Sequence, residues 1–95
     1  MALINQRTVD KLGIKKERYK KARVIENFTG ETVNGAGHYY TEAMRLQHRK
    51  HFSKEVFIVS PIEEGIDLFL PFSWIEWHPP QGAWTMEEIR FNSAR

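Results

Sequence analysis

The stretch from Leu68 to Phe91 constrains the chain most, because it holds all three tryptophans, Trp74, Trp77 and Trp84, and much of the strongly apolar material. A large aromatic side chain buries on the order of 150–250 Å², so the preceding residues must supply a cover for this stretch. Its apolar run Phe72 to Trp77 is stopped by Pro79-Pro80, and Trp84 and the pair Ile89/Phe91 flank turn residues. That order reads as a strand, a short helix and a hairpin. With 95 residues, the chain has room for one domain with a modest core. At 41% hydrophobic and 27% charged it is too apolar to stay disordered. No apolar run approaches a membrane span, and Met1 to Arg7 lack the charged, apolar and small-residue order of a signal peptide. The absence of cysteine excludes disulfides, a thiol nucleophile and a cysteine-ligated zinc, and sets the expectation of an intracellular setting, nucleus or cytoplasm.

In chain order, Leu3, Ile4, Val9 and Leu12 followed by Gly13 suit a strand end leading into a short helix at about Thr8 to Leu12, stopped by the glycine. Lys15 to Lys21 carries charges with no apolar period and reads as a solvated connector. Ala22 to Ile25 begins a strand, Asn27 to Glu31 has turn chemistry around Gly30, and Asn34-Gly35-Ala36-Gly37 is a second turn signal. His38 to Leu46 and Phe52 to Val59 form the best hairpin candidate, with Gln47 to His51 as its polar tip. Ser60-Pro61 closes it, and Glu63-Glu64-Gly65 leads into the tryptophan stretch.

Several landmarks resemble the retropepsin-like aspartic protease domain of long-terminal-repeat retrotransposons, especially the gypsy class of fungi. That family has a strand ending Ile-Leu-Gly, then Met-Pro-Trp-Leu, His-Asn-Pro and Asp-Trp-x-x-x-Glu-Ile-x-Phe. The corresponding places here hold Phe69-Leu70-Pro71, Phe72-Ser73-Trp74-Ile75, His78-Pro79-Pro80 and Ala83-Trp84 through Glu88-Ile89-Arg90-Phe91. Leu3-Ile4-Asn5 and Lys11-Leu12-Gly13-Ile14 resemble two further landmarks that follow the family's catalytic turn. The resemblance implies a β-rich or all-β fold, a small closed barrel or sheet with one or two short helices, at about Thr8 to Leu12 and Ser73 to Trp77. It also implies that Trp74 and Trp84 are core with Trp77 partly exposed, and that the flap over the substrate lies at Asn34, Gly35, Ala36 and Gly37.

The family's chemistry needs two carboxylates sharing one proton around a water, each on a tight Asp-Ser/Thr-Gly turn. The two aspartates present, Asp10 and Asp67, are followed by Lys11-Leu12 and Leu68-Phe69, and Val33-Asn34-Gly35-Ala36 lacks the carboxylate. The catalytic motif is expected just before Leu3, where this chain has Met1-Ala2. Pro71, in place of the family's glycine, removes an amide donor and fixes φ. No catalytic, cofactor or metal residue is therefore assigned. His48 and His51 have a ligand-like spacing, but Arg49 and Lys50 between them would repel a cation. Lys15, Lys16, Arg18, Lys20 and Lys21 are candidate phosphate contacts, with Phe28, Tyr39 and Tyr40 the nearest aromatics.

The resemblance leads us to expect residues 1–95 to form a single domain, truncated or diverged from the retropepsin pattern. The expected function is a non-catalytic, domesticated retrotransposon-derived module for protein binding, as a homodimer or with a strand-donating partner. Leu3, Ile4, Arg90 and Phe91 are the candidate interface edges. One alternative is a fragment of a genuine aspartic endopeptidase; another is a nucleic-acid-binding module using the basic run 11–23. No cofactor and no membrane partner are expected.

Overall fold

A computed structural model describes residues 2–26, 29–70 and 83–93. Its organising element is β1 (Leu3–Asn5), which lies between β6 (Ile58–Ser60), paired parallel, and β7 (Leu68–Phe69), paired antiparallel. The sheet extends outward through β3 (Tyr39–Thr41) to β2 (Lys16–Arg18) on one side and to β8 (Ala83–Trp84) on the other, giving the order β2-β3-β6-β1-β7-β8. A second, antiparallel sheet has β4 (Met44–His48) between β5 (His51–Glu55) and β9 (Arg90–Ser93). Among the described residues both sheets are open, so the fold is β-rich as expected but is not closed into a barrel.

The two faces of β1 and β6 account for the core. Side chains alternate across a strand, and Ile4 and Val59 join the main cluster with Val9, Leu46, Phe57, Leu68 and Trp84. Leu3 and Ile58 lie with the second cluster, where Ile25, Val33 and Ala36 cover them. The small sheet thus contributes to the core on one side of β1, and the segment from Arg23 to Gly37 covers the other.

Helix α1 (Gln6–Leu12) follows β1 directly. The Asn5 side chain accepts from the Arg7 N–H as N-cap, and Gly13 ends the helix in the left-handed region at φ 64. The helix therefore starts two residues before the position inferred from the apolar spacing, because capping by Asn5 fixes its origin. The second expected helix, Ser73 to Trp77, lies outside the described residues, as do Trp74 and Trp77.

Three other expectations are corrected. The Lys15–Lys21 connector contains strand β2, fully exposed and paired through Lys16↔Thr41, Glu17↔Tyr40 and Arg18↔Tyr39. A strand wet on both faces has no apolar alternation to betray it. The long hairpin is two structures: β3 belongs to the large sheet, while β4 and β5 form a hairpin in the small one, closed by His48↔His51 with Arg49 at φ 54. The break lies at Thr41, whose buried hydroxyl accepts from the Phe57 N–H and donates to the Glu42 carbonyl, diverting both strands between sheets. Trp84 and Phe91 likewise do not share a hairpin. The turn at Thr85–Glu88, held by Glu88 accepting from the Thr85 N–H and hydroxyl, carries the chain from β8 in one sheet to β9 in the other.

Candidate functional site

The carboxylates come first because the chemistry implied by the sequence depends on them. Asp67 precedes β7 and lies at a junction of three elements. One of its oxygens accepts from the Thr8 hydroxyl on α1 at 2.5 Å, and the other accepts from the Met86 N–H at 2.8 Å. Its backbone is engaged as well, the carbonyl accepting from the Asn5 N–H and the N–H donating to the Trp84 carbonyl. Asn5 completes the knot by donating its side-chain amide to the Ile66 carbonyl at 2.9 Å. Asn5 and Thr8 are buried, so these bonds satisfy groups that would otherwise be stranded away from water. Asp10 lies instead on the exposed side of α1, 3.8 Å from the Lys16 ammonium. The two carboxylates are thus on different surfaces of the helix and do not form a pair.

The segment matching the expected flap is a narrow hairpin. Its arms are joined by Arg23 N–H to Gly37 carbonyl, Val33 N–H to Ile25 carbonyl and the bridge Glu26↔Thr32. Asn34 to Gly37 therefore lie near its base. Ala36 is buried, and the Gly37 N–H donates to the Val59 carbonyl. At Gly37, φ is 81 and a Cβ would fall 2.0 Å from the Arg23 carbonyl oxygen, so only glycine permits this crossing. The glycine-rich sequence here serves close packing against Arg23 and Val59.

The basic run is arranged around aromatic rings. On one face of β2, Lys16 lies 4.7 Å and Arg18 5.7 Å from the Tyr39 ring centre. On the other face the Tyr40 hydroxyl donates to Glu17 at 2.7 Å, Tyr19 packs on Tyr40 at 4.7 Å, and Arg23 lies over Tyr19 at 5.5 Å. The bond to Glu17 holds the Tyr40 phenol above its ordinary pKa, with desolvation adding in the same direction. Tyr19 was missed as a member because it lies inside the basic run, where sequence reasoning sees only charge. Phe28 lies outside the described residues.

Of the candidate interface residues, Leu3 and Ile4 are not at an edge: β1 has hydrogen-bonded neighbours on both sides. Arg90 and Phe91 are on β9, the outer strand of the small sheet among the described residues, with Phe91 packed 5.5 Å from Phe57. His48 and His51 face each other as the closing pair of the hairpin, and the His48 ring turns toward Trp84 and the Glu88 carbonyl. Among the described residues no group of three His, Asp or Glu side chains could hold a metal, and no helix is long and apolar enough to cross a membrane.

Compared with known protein families, residues 1–95 match the family model of the PEG10/RTL1 protease domain. The chain belongs to that family. It is thereby a retrotransposon-derived, retropepsin-like protease domain, and the PEG10/RTL1 match spans every element described above. No curated protein and no solved structure matches. Within this PEG10/RTL1-type domain, the residues brought together most tightly are Asn5, Thr8 and Asp67, whose bonds hold β1, α1, β7 and β8 in register.

Proposed function

We propose that this chain is a protease-like module that acts by associating with protein, through a second copy of itself or a strand donated by a partner, and that its own residues hydrolyse no peptide bond. The observation behind this reading is the use of its two aspartates. Proteolysis by this family's chemistry needs a carboxylate on a tight glycine turn sharing a proton with its counterpart around water. Asp67 has both oxygens engaged in fold-internal bonds, and Asp10 is on the far side of a helix beside a lysine. The outer strand β9, with Arg90 and Phe91, supplies an edge for pairing. Incubation with denatured casein at acidic and neutral pH, together with sedimentation equilibrium at micromolar concentration, tests both halves. No cleavage and a mass above the monomer are expected. Any cleavage removes the non-catalytic reading, cleavage lost in an Asp10→Asn, Asp67→Asn double variant tracing it to these aspartates, and a clean monomer with rapidly exchanging Arg90 and Phe91 amides removes self-association.

A second reading, a fragment of a genuine retroelement aspartic endopeptidase with its Asp-Ser/Thr-Gly ahead of Leu3 in a longer parent, draws support from the protease-domain family itself. Parent sequence carrying that motif, with peptidase activity from the longer chain, would favour it. A third reading assigns Lys15, Lys16, Arg18, Lys20 and Lys21 to phosphate contacts, for which salt-dependent duplex binding is the test.

A further inference from the structure

Among the described residues strand β2 ends the large sheet, and its backbone shows which groups are available. The Glu42 N–H donates to the Lys15 carbonyl and the Tyr19 N–H donates to the His38 carbonyl. Hydrogen-bonded and non-bonded pairs alternate in an antiparallel ladder. Residues 15, 17 and 19 therefore direct their backbone groups toward β3, whereas Lys16 and Arg18 direct theirs outward. Lys16, Glu17 and Arg18 are all exposed, so this outer row meets solvent.

The side chains around that row select what can pair with it. Lys15, Lys16, Arg18, Lys20 and Lys21 are exposed, with Glu17 the one acid between them in sequence and Asp10 3.8 Å from the Lys16 ammonium. Lys16 and Arg18 are steadied over Tyr39, and Glu17 is engaged by Tyr40. A second copy of β2 laid against the first would bring like charges face to face, which destabilises a strand pair. An acidic strand would place its carboxylates beside the cations while its backbone fills the outward row.

We infer that the β2 edge is a docking site for an extended acidic peptide segment, added antiparallel or parallel as a seventh strand. This goes beyond the association reading above, using an edge other than β9 and naming the chemistry of its partner. Main-chain bonds from Lys16 and Arg18 give the pairing, and the surrounding lysines give the preference for glutamate- or aspartate-rich sequence.

The probe is a fluorescein-labelled dodecapeptide of alternating Glu and Thr, followed by anisotropy, with a Lys-Thr dodecapeptide and a single-stranded thymidine dodecanucleotide as comparators. The acidic peptide should bind, more weakly as salt rises, and the Lys-Thr peptide should not. Arg18→Ala and Arg18→Pro both remove the charge, but only proline removes the outward N–H while sparing the bonds to β3. Arg18→Pro should bind about fivefold more weakly than Arg18→Ala, the worth of one net hydrogen bond. In the unaltered chain, saturating peptide should slow exchange of the Lys16 and Arg18 amides, a readout that needs no variant to fold. Equal affinity of the two variants, unchanged amide exchange, or tighter binding of the oligonucleotide would each overturn the inference, the last in favour of a nucleic-acid surface. Peptidase activity would sink the association reading without touching these amides. Unmoved amides in a chain that cleaves nothing would sink this inference alone.

Discussion

The knot at Asp67 and the edge at β2 use the same bond, a hydroxyl donating to a carboxylate, and put it to opposite ends. Thr8 donates to Asp67 at 2.5 Å and Tyr40 donates to Glu17 at 2.7 Å. At the knot the threonine is buried, and the same carboxylate also takes a backbone N–H, so losing it strands donors in the interior. At the edge water can replace either partner, and the contact steers side chains with little effect on stability. Burial, more than bond length, decides whether a polar contact holds a fold together or remains available to a partner.

The largest expected effect comes from removing the packing over the knot. Trp84 is 1% exposed and its carbonyl receives the Asp67 N–H. Trp84→Ala should cost about 3–5 kcal/mol, much of a small domain's stability, and a thermal melt within a few degrees of the parent would show that the knot stands without it. Next, Asp67→Ala should cost about 2–4 kcal/mol by denaturant titration, since it leaves the Thr8 hydroxyl and Met86 N–H without their acceptor. Asp10→Ala, breaking only an exposed pair, should stay within about 0.5 kcal/mol. Equal costs for the two aspartates would erase the contrast. Smallest is Tyr40→Phe, expected to leave the melt at neutral pH nearly unchanged. Its effect is at alkaline pH: the hydrogen bond to Glu17 raises the Tyr40 pKa, so the stability it lends is complete below the unfolded value of about 10 and is lost as pH rises through the folded value. Spectrophotometric titration should show a phenolate transition raised above the ordinary tyrosine range in the parent and absent from the variant.

Legibility in the sequence followed the same division. The strand character of Leu3-Ile4 and Ile58-Val59, the Leu12-Gly13 stop and the burial of Trp84 could all be read, because burial leaves apolar or bulky residues behind. Strand β2 could not, since Lys16-Glu17-Arg18 is exposed throughout and has no apolar alternation. The transfer of chain between sheets at Thr41 was also hidden, resting on one hydroxyl that satisfies a partner sixteen residues away, Phe57. At the candidate site, sequence identified both aspartates as lacking the required turn but gave no sign that Asp67 would become a structural acceptor. Its partner Thr8 is distant in sequence, and the bond depends on tertiary placement. The basic run was visible as charge, and its tyrosine scaffold needed the β2–β3 register to appear.

The position of β1 also bears on how the domain assembles in time. Its cap residue Asn5 and neighbour Thr8 find their partners 57, 61 and 59 residues further along the chain. The central strand and the helix it launches therefore cannot be locked until β6 and the approach to β7 are in place. Closing so long a loop is entropically costly before any contact rewards it. Local hairpins such as β4–β5 can form within microseconds, whereas the middle of the large sheet must be among the last parts to set. Until then Ile4 and Val59 present bare apolar strand to any neighbouring chain, so slower closure would leave more of the protein open to aggregation.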